Sequence, residues 1–362
     1  MKILQIIPTL GLAGAERMLE TLAIGLSSMG DEVMVVDLFD EETPITNNLI
    51  AHGIRVDHLG KHRGIDLGMF PRIHRILCRF EPDIVHTHRY AVRYAYPVEV
   101  AHGVKARVHT VHSIASQEVC DADKVLCRHF YKSGGLIPVG INESVKASIA
   151  ELYSLPPGRI PLIYNGISRP ASNGKNPLGE DMRFTFVHVG RFAEAKNHIG
   201  LIEGFVRFHR EYDNTRLVLV GDGSLRPVVR SRIKELNAEG YVYDIGLVDA
   251  MGDVYANADS FVLPSLYEGM SIALIEAMMN KLPVLVSNRG GNVDLVNGDT
   301  GYICDVDPCS IANGFERLYL DKHRDEVALR GSKSVERYSA AAMTRSYRAL
   351  YGQLLANDGR LL

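Results

Sequence analysis

One pattern constrains this chain more than any other: an alternation of short apolar runs and helical periods that runs, stops and starts again. The apolar runs are Ile3–Ile7, Glu32–Leu38, Arg55–His58, Asp83–Thr87 and Arg107–Val111. Between them lie helical patterns, as in Ala15–Met29, Asp66–Phe80 and Tyr90–Ala101. Strands that alternate with helices of this length form a parallel sheet covered on both faces. The stretch Ser168–Asp181 (SRPASNGKNPLGED) carries no apolar period and reads as a linker. The alternation then restarts at Phe184–Val189, Arg216–Val220, Tyr241–Ile245, Ser260–Pro264 and Pro283–Ser287, with a helix predicted over Ser271–Asn280. A last helical pattern covers Ala340–Leu355. The chain therefore reads as two parallel α/β domains in tandem, and 362 residues suffice for two cores.

Composition removes several classes of function. Apolar residues are 46% and charged residues 23%, with a formal net charge of −3, so neither disorder nor a nucleic-acid partner is expected. The five cysteines, at 78, 120, 127, 304 and 309, match no disulfide framework or zinc spacing and read as reduced thiols of a cytosolic protein. No apolar run approaches the roughly 20 residues that span a bilayer. The opening MKILQIIPTL ends its apolar run at Pro8 without a cleavage site, so it reads as a first strand entering a glycine loop.

In open parallel sheets ligands sit at the carboxyl ends of the strands. The strongest signal there is LPSLYEGMSIALIEAMMNKLPVLVS, where Glu268 and Gly269 follow a strand and Glu276 lies on the next helix. A glycosidase pair would stand about 5–9.5 Å apart. Eight residues of helix rise about 12 Å, which suits the two ends of an extended ligand such as a nucleotide sugar. The helix start near Ser271 offers free N–H groups to a phosphate, and Gly269 allows close approach. Arg191 and Lys196 follow strand 184–189, and a guanidinium with an ammonium suits a diphosphate. Taken singly, each of these residues would also fit a solvated surface. The turn VGDG at 220–223 is assigned no chemistry. Gly11 and Gly14 follow the first strand, but GLAGAE lacks the spacing of a dinucleotide fingerprint.

The pair GRF-x-x-x-K-N and EGMSIALIE resembles the retaining family 4 glycosyltransferases of GT-B fold. The resemblance extends over TLGLAGAE, DIVHTH (83–88), VHTVHS (108–113), IYNGI (163–167) and SNRGGNVDLV followed by Gly301 and Tyr302. It implies two Rossmann-like parallel-sheet domains facing a cleft: an acceptor-side domain over 1–168 and a nucleotide-sugar domain over 169–338. Helix 339–362 would pack back on the first. The catalytic set would be His112, Arg191, Lys196 and Glu268. Arg191 and Lys196 would hold the donor diphosphate, backed by Gly14. Glu276 would accept from the ribose. Glu268 would meet the donor sugar, helped by the N–H groups of Gly269, Met270 and Ser271. Val248 would lie at the nucleobase and His112 in the sugar pocket. His86, His88 and Arg89 would face the acceptor, with Asn165 at the crossing between domains. One departure is Asp294, where the family has Glu. The implied activity is transfer of a hexose-type sugar, with retention, from a UDP-sugar to a saccharide or lipid-linked saccharide acceptor in surface polysaccharide synthesis. No cofactor or metal is expected. The acidic pairs Asp121/Asp123 and Asp305/Asp307 are not read as metal ligands, because Arg191 and Lys196 already supply positive charge. The alternatives are a nucleotide-sugar epimerase or isomerase, which a donor-only assay separates, and a non-catalytic sugar-nucleotide-binding protein.

Within MFPRIHRILCRF, Ile73, Ile76, Leu77 and Phe80 form one helical stripe and Arg72, Arg75 and Arg79 another. Residues 61–132 also carry more Lys and Arg than Asp and Glu. The basic stripe reads either as a solvated face or as a surface that meets anionic headgroups at the inner face of the cytoplasmic membrane.

Overall fold

The computed structural model describes residues 1–361 as two compact units, 1–166 with 337–361, and 167–336. In the first unit the strands are β1 (Lys2–Ile7), β2 (Glu32–Asp37), β3 (Arg55–His58), β4 (Ile84–His88), β5 (Ala106–Val111) and β6 (Ile137–Gly140). In the second they are β7 (Phe184–Val189), β8 (Thr215–Val220), β9 (Val242–Gly246), β10 (Ser260–Leu263), β11 (Val284–Ser287) and β12 (Tyr302–Cys304). All neighbouring pairs are parallel. The orders are β3-β2-β1-β4-β5-β6 and β12-β11-β10-β7-β8-β9, which is one topology built twice. In each sheet the winding reverses between the first and fourth strands, and that switch point is where an open α/β sheet leaves a crevice.

Both faces of the first sheet are covered, as the unbroken apolar runs require. Ile3 and Ile7 of β1 pack into the core beside helices Gly14–Ser28 and Ala340–Ala356, while Leu4 and Ile6 pack into another beside Met69–Phe80 and Val92–His102. This is the period of two of a strand buried on both sides. In the second unit Phe186, Leu217, Val262 and Leu285 share a core with Phe205 and Phe315 from helices His198–His209 and Pro308–Leu320.

The C-terminal helix Ala340–Ala356 belongs to the first unit and is fastened by polar as well as apolar groups. The Tyr351 hydroxyl lies 2.7 Å from His86 Nδ1, His86 Nε2 lies 2.7 Å from Thr110 Oγ1, and Thr110 Oγ1 lies 2.7 Å from the Tyr347 hydroxyl. Buried Asp31 accepts from Arg348 Nε at 2.8 Å and from the N-terminal ammonium at 2.9 Å. A Cβ at Gly25 would fall 2.3 Å from Thr344 Oγ1, and one at Gly166 would fall 2.7 Å from the Ala340 backbone, so this helix is seated against two glycines.

Three local readings change. Strands β6 and β12 lie beyond the apolar runs predicted as strands; β6 contains Pro138, and β12 has three residues. The helix expected from Asp66 begins at Met69, because the Asp66 carboxylate accepts the N–H groups of His62 and Gly68 and holds a turn instead. The helix expected from Tyr90 begins at Val92, after a 3₁₀ turn at Arg89–Ala91.

Candidate functional site

The segment after β7 carries Arg191 and Lys196, and the segment after β10 carries Glu268. These two strands flank the switch point of the second sheet. Asn197 ties the loops together. It adopts a left-handed conformation (φ 54°), and its Nδ2 donates to the Pro264 carbonyl at 3.1 Å and the Val306 carbonyl at 2.9 Å. The Leu266 N–H donates to the Ala195 carbonyl at 2.8 Å. The Lys196 ammonium thereby reaches the Glu268 carboxylate and forms an ion pair with it, both side chains being more than four-fifths buried. Ser265 Oγ donates to the same carboxylate oxygen at 3.3 Å. The Arg191 guanidinium is exposed and makes no ion pair among the described residues.

Two glycine pairs press these loops into shape. Gly290 has φ 51°, and a Cβ on it would lie 2.1 Å from the Glu268 carbonyl oxygen. A Cβ on Gly291 would lie 2.0 Å from the Gly269 carbonyl oxygen, and the Gly291 N–H donates to the Glu268 carbonyl at 2.9 Å. Likewise Gly221 and Gly223 approach the Gly190 and Phe192 carbonyl oxygens so closely that a Cβ would stand 2.1 and 2.5 Å away. The VGDG turn, assigned no chemistry from sequence, is the wall behind Arg191.

Past Glu268 the chain turns into helix Ile272–Met279, which Ser271 caps by accepting from the Leu274 N–H at 3.4 Å. The backbone N–H groups of Gly269, Met270 and Ser271 donate to no other group among the described residues. With the helix N-terminus they form a cluster of donors suited to an anion. Glu276, half-buried on this helix, accepts from the Tyr255 hydroxyl at 2.9 Å. Burial raises its pKa, and the tyrosine hydrogen bond offsets part of that rise. Val248 is half-buried in the loop after β9. That loop is pinned where Arg226 and Arg230 converge on Asp244 and the Gly246 N–H donates to the same carboxylate at 3.1 Å. Asp294 lies in the short helix Asn292–Leu295.

In the first unit, Gly14 opens helix Gly14–Ser28 with free space where a Cβ would be. The first turn also carries Glu16, whose buried carboxylate accepts from Thr9 Oγ1 at 3.4 Å and Arg89 Nη1 at 3.3 Å. Arg89 sits just past β4 with φ 52°, a conformation uncommon for a side-chain-bearing residue, and its guanidinium is engaged with Glu16. His88 ends β4 and His112 follows β5, and His88 Nδ1 lies 3.0 Å from His112 Nε2. Burial and neighbouring imidazoles hold both well below the ordinary histidine pKa, His112 also feeling Arg89, so one ring donates and the other accepts. His112 Nδ1, His88 Nε2 and Asn165 Oδ1 are buried without a partner among the described residues. His86, expected beside the acceptor, is instead buried in the network that holds the C-terminal helix.

The acidic pairs are occupied by structural tasks. Arg93 grips Asp123 through both oxygens and Lys124 pairs with Asp121. Asp307 caps helix Pro308–Leu320 and Asp305 accepts from Asn288. The basic stripe is also partly used. Arg72 donates to the Leu59 and Gly60 carbonyls at 2.7 and 2.8 Å, and Arg79 pairs with Asp57. All five cysteines are free thiols. No helix among the described residues is long and apolar enough to cross a membrane.

Both units are doubly wound, and the second carries cations and carboxylates at its switch point. The first unit matches the model of Glycosyltransferase Family 4 over residues 12–169, and the second that of Glycosyl transferases group 1 over 172–334. Together these span most of the chain, which belongs to this glycosyltransferase family. It is 26% identical to the N-acetyl-alpha-D-glucosaminyl L-malate synthase of Bacillus anthracis, covering 86% of each chain. It is 29% identical to the UDP-Gal:alpha-D-GlcNAc-diphosphoundecaprenol alpha-1,3-galactosyltransferase of Escherichia coli, covering 71% of each. It spans 56% of the length of an uncharacterized glycosyltransferase of Methanocaldococcus jannaschii at 28% identity and covers 56% of its own. The fold matches that of Anabaena HepE in complex with UDP, with a TM-score of 0.71 at 17% identity, covering 98% of this chain and 100% of that one. The architecture is thus that of the GT-B glycosyltransferases.

Proposed function

We propose that this glycosyltransferase moves a hexose from a UDP-sugar to a saccharide or lipid-linked saccharide acceptor, with retention at the anomeric carbon and without a metal ion, in surface polysaccharide synthesis. The observation that carries the reading is the arrangement after β7 and β10. An unpaired guanidinium (Arg191), an ammonium (Lys196) and three undonated N–H groups (Gly269, Met270, Ser271) gather where the winding reverses. This is positive potential in a form that two phosphates can use. Glu276 supplies a carboxylate for the ribose hydroxyls, and Glu268, held by Lys196 and Ser265, supplies one for the hydroxyls of the sugar. The donor and acceptor of the Escherichia coli relative, UDP-Gal and alpha-D-GlcNAc-diphosphoundecaprenol, support a UDP-sugar donor and a lipid-linked acceptor.

In the transfer, the bond from the anomeric carbon to the phosphate oxygen breaks and its electron pair leaves with the nucleoside diphosphate. Arg191, Lys196 and the N-terminus of helix Ile272–Met279 stabilise that charge. The acceptor oxygen bonds to the same face of the sugar, and its proton passes to the departing phosphate oxygen. Because attack and departure share one face of the sugar, this step requires no protein nucleophile. In the first unit, His112 is held neutral by burial and has Nδ1 available to hydrogen-bond a saccharide. Arg75, on the basic face of helix Met69–Phe80, adds a weak attraction to anionic headgroups; vesicle co-sedimentation at low salt reads it.

The decisive experiment incubates the purified protein with UDP-, GDP- and ADP-sugars and saccharide acceptors in excess EDTA, and follows the product by proton NMR. The α-linked product of an α-linked UDP-sugar is expected. A β-linked product, or strict dependence on added manganese, overturns the mechanism.

A further inference from the structure

His74 and Cys78 stand four residues apart on helix Met69–Phe80, hence on one face of it, and His102 ends the neighbouring helix Val92–His102. The two helices pack against the same core. One ligand atom from each of the three residues lies within 4.8 Å of the other two. Cys78 Sγ is 3.4 Å from His74 Nε2, and the two imidazoles meet edge to face with centroids 5.7 Å apart. None of the three belongs to the donor or acceptor groups described above.

We infer that His74, Cys78 and His102 bind one divalent ion of the zinc class, tying the end of one helix to the face of the other. The distances favour it. Zinc bonds of about 2.3 Å to sulfur and about 2.0–2.1 Å to nitrogen, at a tetrahedral angle, put the two atoms about 3.5 Å apart. The Cys78–His74 separation of 3.4 Å already has that value. Two imidazoles and a thiolate form a borderline-soft set, which selects zinc, cobalt or nickel over magnesium or calcium. Both His74 and Cys78 are exposed, so the ion has a path in and water can complete a fourth position. Binding replaces the Cys78 thiol proton, which is released to solvent. Two other cations of this helix are held elsewhere, Arg72 on backbone carbonyls and Arg79 on Asp57.

The site is structural rather than catalytic. His102 ends the helix that runs back from the carboxyl end of β4 towards the start of β5, so it lies at the end of the sheet away from His88 and His112. The cysteine spacing in the sequence shows nothing of this, because the three ligands meet only when two helices pack.

The test titrates the reduced full-length protein with cobalt(II) as a spectroscopic substitute and then with zinc. Wild type should bind one equivalent, with the near-ultraviolet band of thiolate-to-cobalt charge transfer, and zinc should displace it and raise the thermal midpoint. Cys78→Ser should abolish the band and weaken zinc binding at least about tenfold, the lower end of what loss of a mere supporting residue does. His74→Gln should weaken binding similarly, while Cys309→Ser should change nothing. Absence of the band in wild type at equimolar cobalt, or its survival in Cys78→Ser, overturns the assignment. Sugar transfer by Cys78→Ser stays at the wild-type level, so failure here leaves the proposed reaction standing.

Discussion

Lys196 and Arg191 carry the same charge but hold it differently. Lys196 is braced against Glu268, whereas Arg191 is exposed and unpaired. Replacing either by alanine should lower transfer by at least about 10²-fold, the usual loss for one preorganised charge-stabilising donor. The two variants should separate in stability. Arg191→Ala removes nothing the fold uses, so its thermal midpoint should equal that of wild type. Lys196→Ala leaves the largely buried Glu268 carboxylate with Ser265 alone and should melt a few degrees lower. Equal melting of the two variants contradicts the structural half of this argument, and near-normal turnover of either contradicts the catalytic half. The carboxylates divide along the donor in the same way. Calorimetry with UDP alone should show weakened binding for Glu276→Ala and nearly unchanged binding for Glu268→Ala. Because burial raises the Glu276 pKa, UDP affinity should fall with acidification at a higher pH than an ordinary glutamate would give.

At the scale of elements, the loop that carries Glu268 owes its shape to a neighbour that never touches a ligand. Gly291 has an ordinary helical backbone (φ −64°), so alanine there brings no torsional strain, only a Cβ 2.0 Å from the Gly269 oxygen. Gly291→Ala should therefore displace the Glu268 loop and cut transfer at least tenfold, on the principle that small misplacements of reacting groups are costly. Gly298→Ala, where a Cβ meets nothing within 4 Å, should leave activity unchanged. Comparable activity of the two would show that the loop holds its shape without the glycine contact. The glycine pairs also mark where sequence reasoning stops. The central strands were legible because each is a short apolar run with helical periods on either side, and Arg191, Lys196, Glu268 and Glu276 stood out as polar residues where those runs end. Gly221, Gly223, Gly290 and Gly291 read only as turns, since what they approach is backbone far away in sequence. Asn197 followed a conspicuous lysine, but its bonds to the ends of two other strand segments are a tertiary fact. Strand β6 was hidden by its proline and β12 by its length, and the start of helix Met69–Phe80 by a side-chain turn at Asp66.

Across the whole molecule, buried ionisable groups set how stability depends on pH. His86, His88, His109, His112, His188 and His198 are held neutral by burial, His109 at about 3 and His198 at about 4. Each takes up a proton on unfolding once the pH falls below the ordinary value of 6.5. Stability is thus lost on acidification, at up to about 1.4 kcal/mol per pH unit per imidazole, until the folded value is passed. Carboxyls held protonated act in the opposite sense. Burial raises Glu99 from 4.5 to about 8 and Asp37 from 3.8 to about 7, and raises Glu118 and Glu276 as well. These lose their protons on unfolding, so they cost stability as pH rises through those windows. Between about 4.5 and 6.5 the two groups oppose each other, and the imidazoles prevail by number. Below that the glutamates drop out while His109 and His112, both held at about 3, continue, and below 3.8 Asp181, held at about 2 by Arg183, adds to the loss. Above 6.5 the imidazoles are silent and only the carboxyls titrate. The thermal midpoint should therefore peak near pH 6.5 and fall on both sides, more steeply towards acid. Glu99→Gln isolates the alkaline limb. Both Glu99 oxygens are buried without a partner, and the neutral amide keeps the shape while removing the proton lost on unfolding. The variant should melt above wild type at pH 8 and close to it at pH 5. A wild-type midpoint that stays level from pH 6.5 to 8.5, or an alkaline slope unchanged in Glu99→Gln, means that these carboxyls do not govern stability above neutrality.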